Sequence, residues 1–228
     1  MSPEPALAVV IPALNAGDGL AATLGCLREG ADVFEMDVLV VDGGSDDDTV
    51  AIAEANGAHV VTSARGRGTQ LAAGAGQTQG DWLLFLHADT VLAAGWASEL
   101  AAFIAMGTER AAYFRFRLDD DAPGARRIER LVAWRCRALG LPYGDQGLAL
   151  ARGLYREIGG YSDQPLMEDV YLVRRLGRRR LASLQSAAVT SARRYRTGGY
   201  WRRPIRNQLC LLLYLLGASP QFVARVYR

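Results

Sequence analysis

Apolar runs recur along the first 90 residues of the chain, and each stops abruptly at a proline, an acidic residue or a histidine. Residues 6–11 (ALAVVI), 38–41 (VLVV) and 81–86 (DWLLFL) carry almost no polar interruption. Such runs predict strands buried on both faces, the pattern of a parallel sheet. Pro12 is expected to end the first strand, since proline cannot donate to a central ladder. Between the runs, Leu20, Leu24 and Leu27 recur at helical spacing, predicting a helix capped by Asp18 and closed near Gly30. A second helix over 49–56 ends at Gly57, and 59–62 forms a third strand. This β-α-β-α-β order implies right-handed crossovers between parallel strands. Residues 65–80 (RGRGTQLAAGAGQTQG) read as a loop that becomes a short helix lying close on the sheet.

The patterning then changes character. Residues 96–106 form a helix with Trp96, Leu100, Phe103 and Ile104 on one face, whereas 113–118 (YFRFRL) alternates arginine with apolar residues, as in a strand with one wet face. A helix over 123–139 turns Ile128, Leu131 and Val132 inward; a strand over 147–151, a short helix over 152–158 and a break at Gly159 and Gly160 follow. The helix over 167–176 opens with Glu168 and Asp169. A last helix over 201–216 is bracketed by Pro204 and Pro220. Its apolar stretch is far shorter than the roughly 20 residues that span a bilayer. It reads as docked on its own domain, as an arginine-flanked attachment to a membrane surface, or as a dimer contact through 201–228. No internal repeat or linker divides the chain. A single α/β domain over 1–228 is expected, dividing into stretches 1–110 and 111–190 and a basic helical tail (191–228).

Charge sharpens this division. The net charge of +2 hides eleven acidic residues and one arginine in 1–64, against thirteen arginines and no acid in 170–228. A basic C-terminal part points to phosphates, phospholipid head groups or nucleic acid. Cys26, Cys136 and Cys210 are too few and too far apart for a disulfide framework or a zinc site. The opening MSPEPALAVVIPALN lacks a basic n-region, so no export is expected; the expected place is the cytoplasm, at most peripheral at the inner membrane surface.

The candidate chemistry gathers at one sheet edge. Asp42 ends the second strand, Gly43 and Gly44 allow a tight turn, Ser45 or Asp46 can cap the next helix, and Asp47 and Asp48 suit its N-terminus. Asp89 follows the fourth strand, and Glu168 and Asp169 lie downstream. Open α/β sheets bind ligands at that carboxyl edge. PALNAGDG after the first strand is neither the G-x-G-x-x-G of a Rossmann dehydrogenase nor the G-x-G-x-R of a sugar nucleotidyltransferase.

VIPALN, VVDGGSDDDT, GRGTQLAAGA, FLHAD and MEDVYLVRRL, in that order, resemble the family 2 glycosyltransferases of the GT-A fold over about the first 180 residues. PYGDQGLAL and EIGGYSDQPLMEDV resemble, within it, the small single-domain branch labelled for arsenosugar biosynthesis or radical-SAM and selenium-domain neighbours. The resemblance implies a Rossmann-like sandwich, with a mostly parallel central sheet flanked by helices. It implies inverting transfer of a sugar from a nucleotide-diphosphate sugar, a UDP-sugar or GDP-sugar, to a small-molecule or lipid-linked acceptor, with no nucleic acid involved. In that reading Pro12 and Asn15 lie against base and ribose, Asp42 accepts an N–H from the base, and Arg65, Arg67, Gln70 and Ala88 complete the donor site. Guanidinium groups bind phosphate bidentately. Asp89 binds Mn²⁺ or Mg²⁺ with the diphosphate, and His87 stands where the family's first Asp usually is. Imidazole suits Mn²⁺ better than Mg²⁺. Asp169 is the general base, Glu168 a positioning residue, and Asp145, Gln146, Arg193 and Arg194 serve the acceptor. The competing reading is a non-catalytic or membrane-recruited nucleotide-sugar-binding protein.

Overall fold

The computed structural model describes residues 6–193 and 202–227. The strands are β1 (Ala6–Ala13), β2 (Glu35–Asp42), β3 (His59–Thr62), β4 (Trp82–Phe85), β5 (Thr90–Leu92), β6 (Ala111–Leu118), β7 (Leu148–Ala151) and β8 (Leu181–Thr190). The helices are α1 (Gly17–Leu27), α2 (Thr49–Ala55), α3 (Arg67–Gln77), α4 (Trp96–Ile104), α5 (Pro123–Leu139), α6 (Arg152–Glu157), α7 (Glu168–Leu176), α8 (Arg202–Leu215) and α9 (Pro220–Tyr227). One sheet runs β3-β2-β1-β4-β7-β6-β8-β5. Its first four strands are parallel, as the apolar runs predict. Beyond β4 it becomes mixed: β7 is antiparallel to β4 and β6, β8 is parallel to β6, and β5 is antiparallel to β8. The result is an α/β sandwich of GT-A-like shape.

Several local expectations are corrected. β1 does not stop at Pro12 but pairs Pro12 with Val41. The Val10 carbonyl accepts from Leu86 N on the β4 side. Pro12, two residues on, faces the same side beyond the last β4 partner, so no ladder bond needs its missing N–H. Asp18 sits inside the first turn of α1 without capping it; the Ala16 and Gly17 N–H groups donate instead to Thr49 Oγ1 and Asp47 Oδ2 at the start of α2. Asp48, rather than Ser45 or Asp46, holds the N-cap position of α2. Leu131 is exposed, and the buried face of α5 instead includes Arg135, whose guanidinium donates to the Leu141 carbonyl and stacks over Tyr143. Pro204 lies in the first turn of α8, where a missing N–H costs nothing, and Pro220 opens α9.

One contiguous core joins the helices to the sheet, with Trp96, Phe34 and Phe114 among its largest fully buried side chains. A second, smaller cluster of Leu141, Val170, Val173 and Leu211 holds one face of α8 against α7. All three cysteines are free. Among the described residues no helix is long and apolar enough to cross a membrane.

Candidate active site

Two adjoining hollows open at the carboxyl ends of β1 and β4. The outer cleft, about 570 Å³, is lined by the turn after β1 (Pro12 and Asn15), by Arg65, Arg67 and Gln70 around the start of α3, and by His87, Ala88 and Asp89 after β4. The inner cavity, about 230 Å³, shares Arg67, His87 and Asp89 and adds Tyr143, Gly144, Asp145, Glu168 and Asp169. Chain topology alone brings these segments together, because β1 and β4 are neighbours in the sheet and β7 carries the 143–147 turn alongside β4.

The outer cleft is built largely by turns that brace one another. Asn15 adopts a left-handed conformation, its Oδ1 accepts Asp46 N, and its own N–H donates to Ser45 Oγ. Arg65 donates to the Gly43 and Gly44 carbonyls. Gln70 is buried, and its Nε2 bridges the Ala13 and Val41 carbonyls at the ends of β1 and β2. The Ala88 carbonyl accepts from buried Thr23. Asp42 is 4% exposed. Its carboxylate accepts Gly44 N, Ser45 N and Ser45 Oγ, so it secures its own turn and does not line the cleft. Arg193 lines the mouth and pairs with Asp18 across it. Arg194 lies outside the described residues.

The inner cavity centres on Gly144. A Cβ there would lie 2.6 Å from Arg67 Nη2 and 2.7 Å from both Asp169 Oδ2 and His87 Nε2, so only glycine leaves these three groups room to converge. Asp169 Oδ2 accepts the Gly144 N–H at 2.9 Å, and Oδ1 accepts the Tyr161 hydroxyl at 3.2 Å. Tyr161 is itself held edge-on to Phe85, and its N–H donates to the Tyr155 hydroxyl. Burial pushes the Tyr161 phenol well above its ordinary pKa, and the Asp169 charge adds to this, so the hydroxyl stays a donor. Met167, in a left-handed conformation rare outside glycine, precedes α7 and lines the same cavity.

Acids outnumber bases in the cavity, with Asp89, Asp145, Glu168 and Asp169 set against Arg67 and His87. Arg67 faces Glu168 at 3.4 Å and Asp169 at 3.9 Å. Burial opposes its charge, yet Asp169 and Glu168 outweigh burial and raise its pKa. Its Nε and Nη2 atoms are out of contact with solvent and make no hydrogen bond; they face the Glu168 and Asp169 carboxylates. Glu168 is pushed up to about 7, first by burial and then by Asp169, with Arg67 opposing. Burial also raises the Asp145 carboxyl against the pull of Arg135 and Arg67. Gln146 is corrected to a structural role. It is buried, accepts from Arg135 and the Tyr143 N–H, and donates to the Phe114 carbonyl.

His87 Nδ1 lies 3.8 Å from Asp89 Oδ1. Among the described residues no three His, Cys, Asp or Glu side chains cluster closely enough to hold a metal by themselves. One exposed carboxylate beside an imidazole instead fits an ion that takes its remaining donors from phosphate oxygens and water, the usual manner of Mg²⁺; the imidazole also tolerates Mn²⁺. Sequence reasoning missed Gly144, Tyr161 and Met167. PYGDQG advertised a turn, but nothing in it signalled that three side chains from elsewhere meet at its glycine.

A parallel first half, a mixed second half and carboxylates at their shared edge make up the architecture of a GT-A-like glycosyltransferase. The model of the family described as Glycosyl transferase family 2 matches residues 8–179, and the chain belongs to that family. Solved structures of similar fold include glucosyl-3-phosphoglycerate synthase from Mycobacterium tuberculosis in complex with Mn²⁺ and UDP-glucose. It is 23% identical with a TM-score of 0.63, over 90% of this chain and 78% of that one. Mannosyl-3-phosphoglycerate synthase from Rubrobacter xylanophilus is 20% identical with a TM-score of 0.62, over 93% and 75% of the two chains. No curated protein matches the chain.

Proposed function

We propose that the protein transfers a sugar, with inversion, from a nucleotide-diphosphate sugar to an acceptor hydroxyl, aided by Mn²⁺ or Mg²⁺. The convergence of Asp169, Arg67 and His87 on the space in front of Gly144 carries this reading. The outer cleft takes the nucleotide between Asn15 and Arg65, and Arg67, which lines both hollows, takes the diphosphate. Asp89 and His87 would hold the ion, which would supply Lewis-acid neutralisation of the departing diphosphate. Asp169 accepts the acceptor proton on its carboxylate, while the Gly144 N–H and the Tyr161 hydroxyl, one on each oxygen, fix its orientation. Attack on the face opposite the leaving group inverts the anomeric carbon. Asp145, whose Oδ1 is buried without a hydrogen bond, is the reserve candidate for orienting the acceptor. The Mycobacterium tuberculosis enzyme, crystallised with UDP, supports a UDP-linked donor, with GDP as the next choice, and its structure with phosphoglyceric acid makes that compound the first acceptor to try. The motif order supports the small single-domain branch within the family.

The test is transfer from labelled UDP- and GDP-sugars to an acceptor panel, comparing wild type with Asp169→Asn. The nearly isosteric amide is expected to keep nucleotide binding and to lower transfer by about 10²-fold or more. Near-normal transfer, or a product of retained configuration, would shift the role to Asp145. Nucleotide-sugar binding without turnover across the panel would favour the non-catalytic reading.

A further inference from the structure

We infer that α8 and α9 form a docking face for an anionic bilayer. Of eleven exposed large apolar side chains among the described residues, six fall within residues 205–222. Ile205, Leu209, Leu212 and Leu216 are spaced i, i+4, i+7 and i+11, so they share one helical face, and they are 63%, 47%, 54% and 76% exposed. The opposite face is already occupied: Cys210 and Leu211 are buried, and Tyr214 packs with Leu211 against Val170 and Val173. A helix apolar on two sides, with only one side covered by its own domain, requires a second apolar partner. Phe222 of α9 extends the uncovered face.

Charge selects the partner. No aspartate or glutamate occurs from Val170 to Arg228, and the sequence of the two helices holds four arginines, of which Arg225 is exposed and Arg206 stacks over the Tyr227 ring. Apolar residues fringed by arginine on an amphipathic helix suit the boundary between acyl chains and anionic head groups. α8 has 14 residues, about 21 Å at 1.5 Å per residue, so it lies in that boundary and does not span the bilayer. Asn207 and Tyr227 of the same two helices line the inner cavity, which couples the docking face to the site.

Flotation of the full chain with vesicles tests this without any sugar donor, so its failure and a failure of the transferase reading are separate results. Binding is expected to mixed phosphatidylglycerol–phosphatidylcholine vesicles, weakening as salt rises, with little binding to phosphatidylcholine alone. Arg225→Gln is expected to weaken it about fivefold. The double variant Leu212→Ser, Leu216→Ser is expected to abolish it while leaving the thermal midpoint unchanged, since both side chains are exposed. Binding to neither vesicle, or equal binding to both at all salt concentrations, would overturn the proposal. So would a concentration-dependent dimer that the same double variant dissociates while vesicles stay unbound, because the face would then belong to a second copy of the chain.

Discussion

Asp42 and Asp169 are held by similar hydrogen bonds, yet their positions differ in kind. Asp42 accepts hydrogen bonds from Gly44 and Ser45, residues within three of it in the chain, and is almost fully buried. Asp169 accepts from Gly144 and Tyr161, residues 25 and 8 positions away, and its side chain remains 13% exposed to the cavity. A carboxylate bonded to its own turn stabilises that turn. One bonded across the fold is fixed relative to other elements, with an edge still open to a ligand. The distinction is between a carboxylate used by local architecture and one held in register for chemistry.

The sharpest way to break this comparison is at Gly144. In Gly144→Ala the new methyl group would fall within 2.7 Å of Arg67, Asp169 and His87 side-chain atoms. These are side-chain ends that can yield, so the fold is expected to survive at a cost of about 1–3 kcal/mol. Transfer is expected to fall on the order of 10²-fold, since displacement by about 1 Å can have that effect. Thermal unfolding and product formation measured together check it; a variant that keeps wild-type turnover would show that the convergence is not the reacting centre.

Legibility in the sequence followed burial. β1, β2 and β4 could be read because their neighbours bury both faces, which demands continuous apolar runs. β8 (LASLQSAAVT) escaped notice because it is partly exposed and rich in small and polar residues, and β5 because three residues carry no period. Without β8 the mixed half could not be assembled. In the site, Arg67 could be read from its glycines, and the structure supplies the reason for one of them: a Cβ on Gly68 would meet the Ser162 carbonyl at 2.0 Å, so α3 can approach that loop only through glycine. Gln146 misled because a polar residue in a loop looks available, whereas this one satisfies the buried Arg135. Tyr161 could not be read at all, since its partnership with Asp169 exists only after the fold brings α7 against β4.

Glu168 extends the comparison to pH. Its carboxyl is held above its ordinary value of 4.5, at about 7, by burial and then by Asp169. The native state therefore binds this proton more tightly than the unfolded chain, so stability falls as pH rises from about 4.5 to 7, by something on the order of 2–3 kcal/mol. Glu168→Gln cannot titrate and is expected to flatten that slope, read as urea midpoints across the interval. An unchanged slope would assign the pH dependence to other groups.

The smallest effect is expected at Asp42. Asp42→Ala deprives the Gly44 and Ser45 N–H groups of their acceptor in a buried turn, which costs about 1–3 kcal/mol. Asp42→Asn keeps one acceptor oxygen but turns an NH₂ toward those donors, so its loss should be smaller. The effect should appear first in the unfolding midpoint, with nucleoside affinity declining only as far as the turn loosens, because Asn15 is tied to the same turn through Ser45 and Asp46. The two variants should then rank alike in stability and in affinity. If instead Asp42→Asn unfolds like wild type yet binds nucleoside much more weakly, the carboxylate addresses the base directly, and Asp42 joins Asp169 as a group held for its ligand.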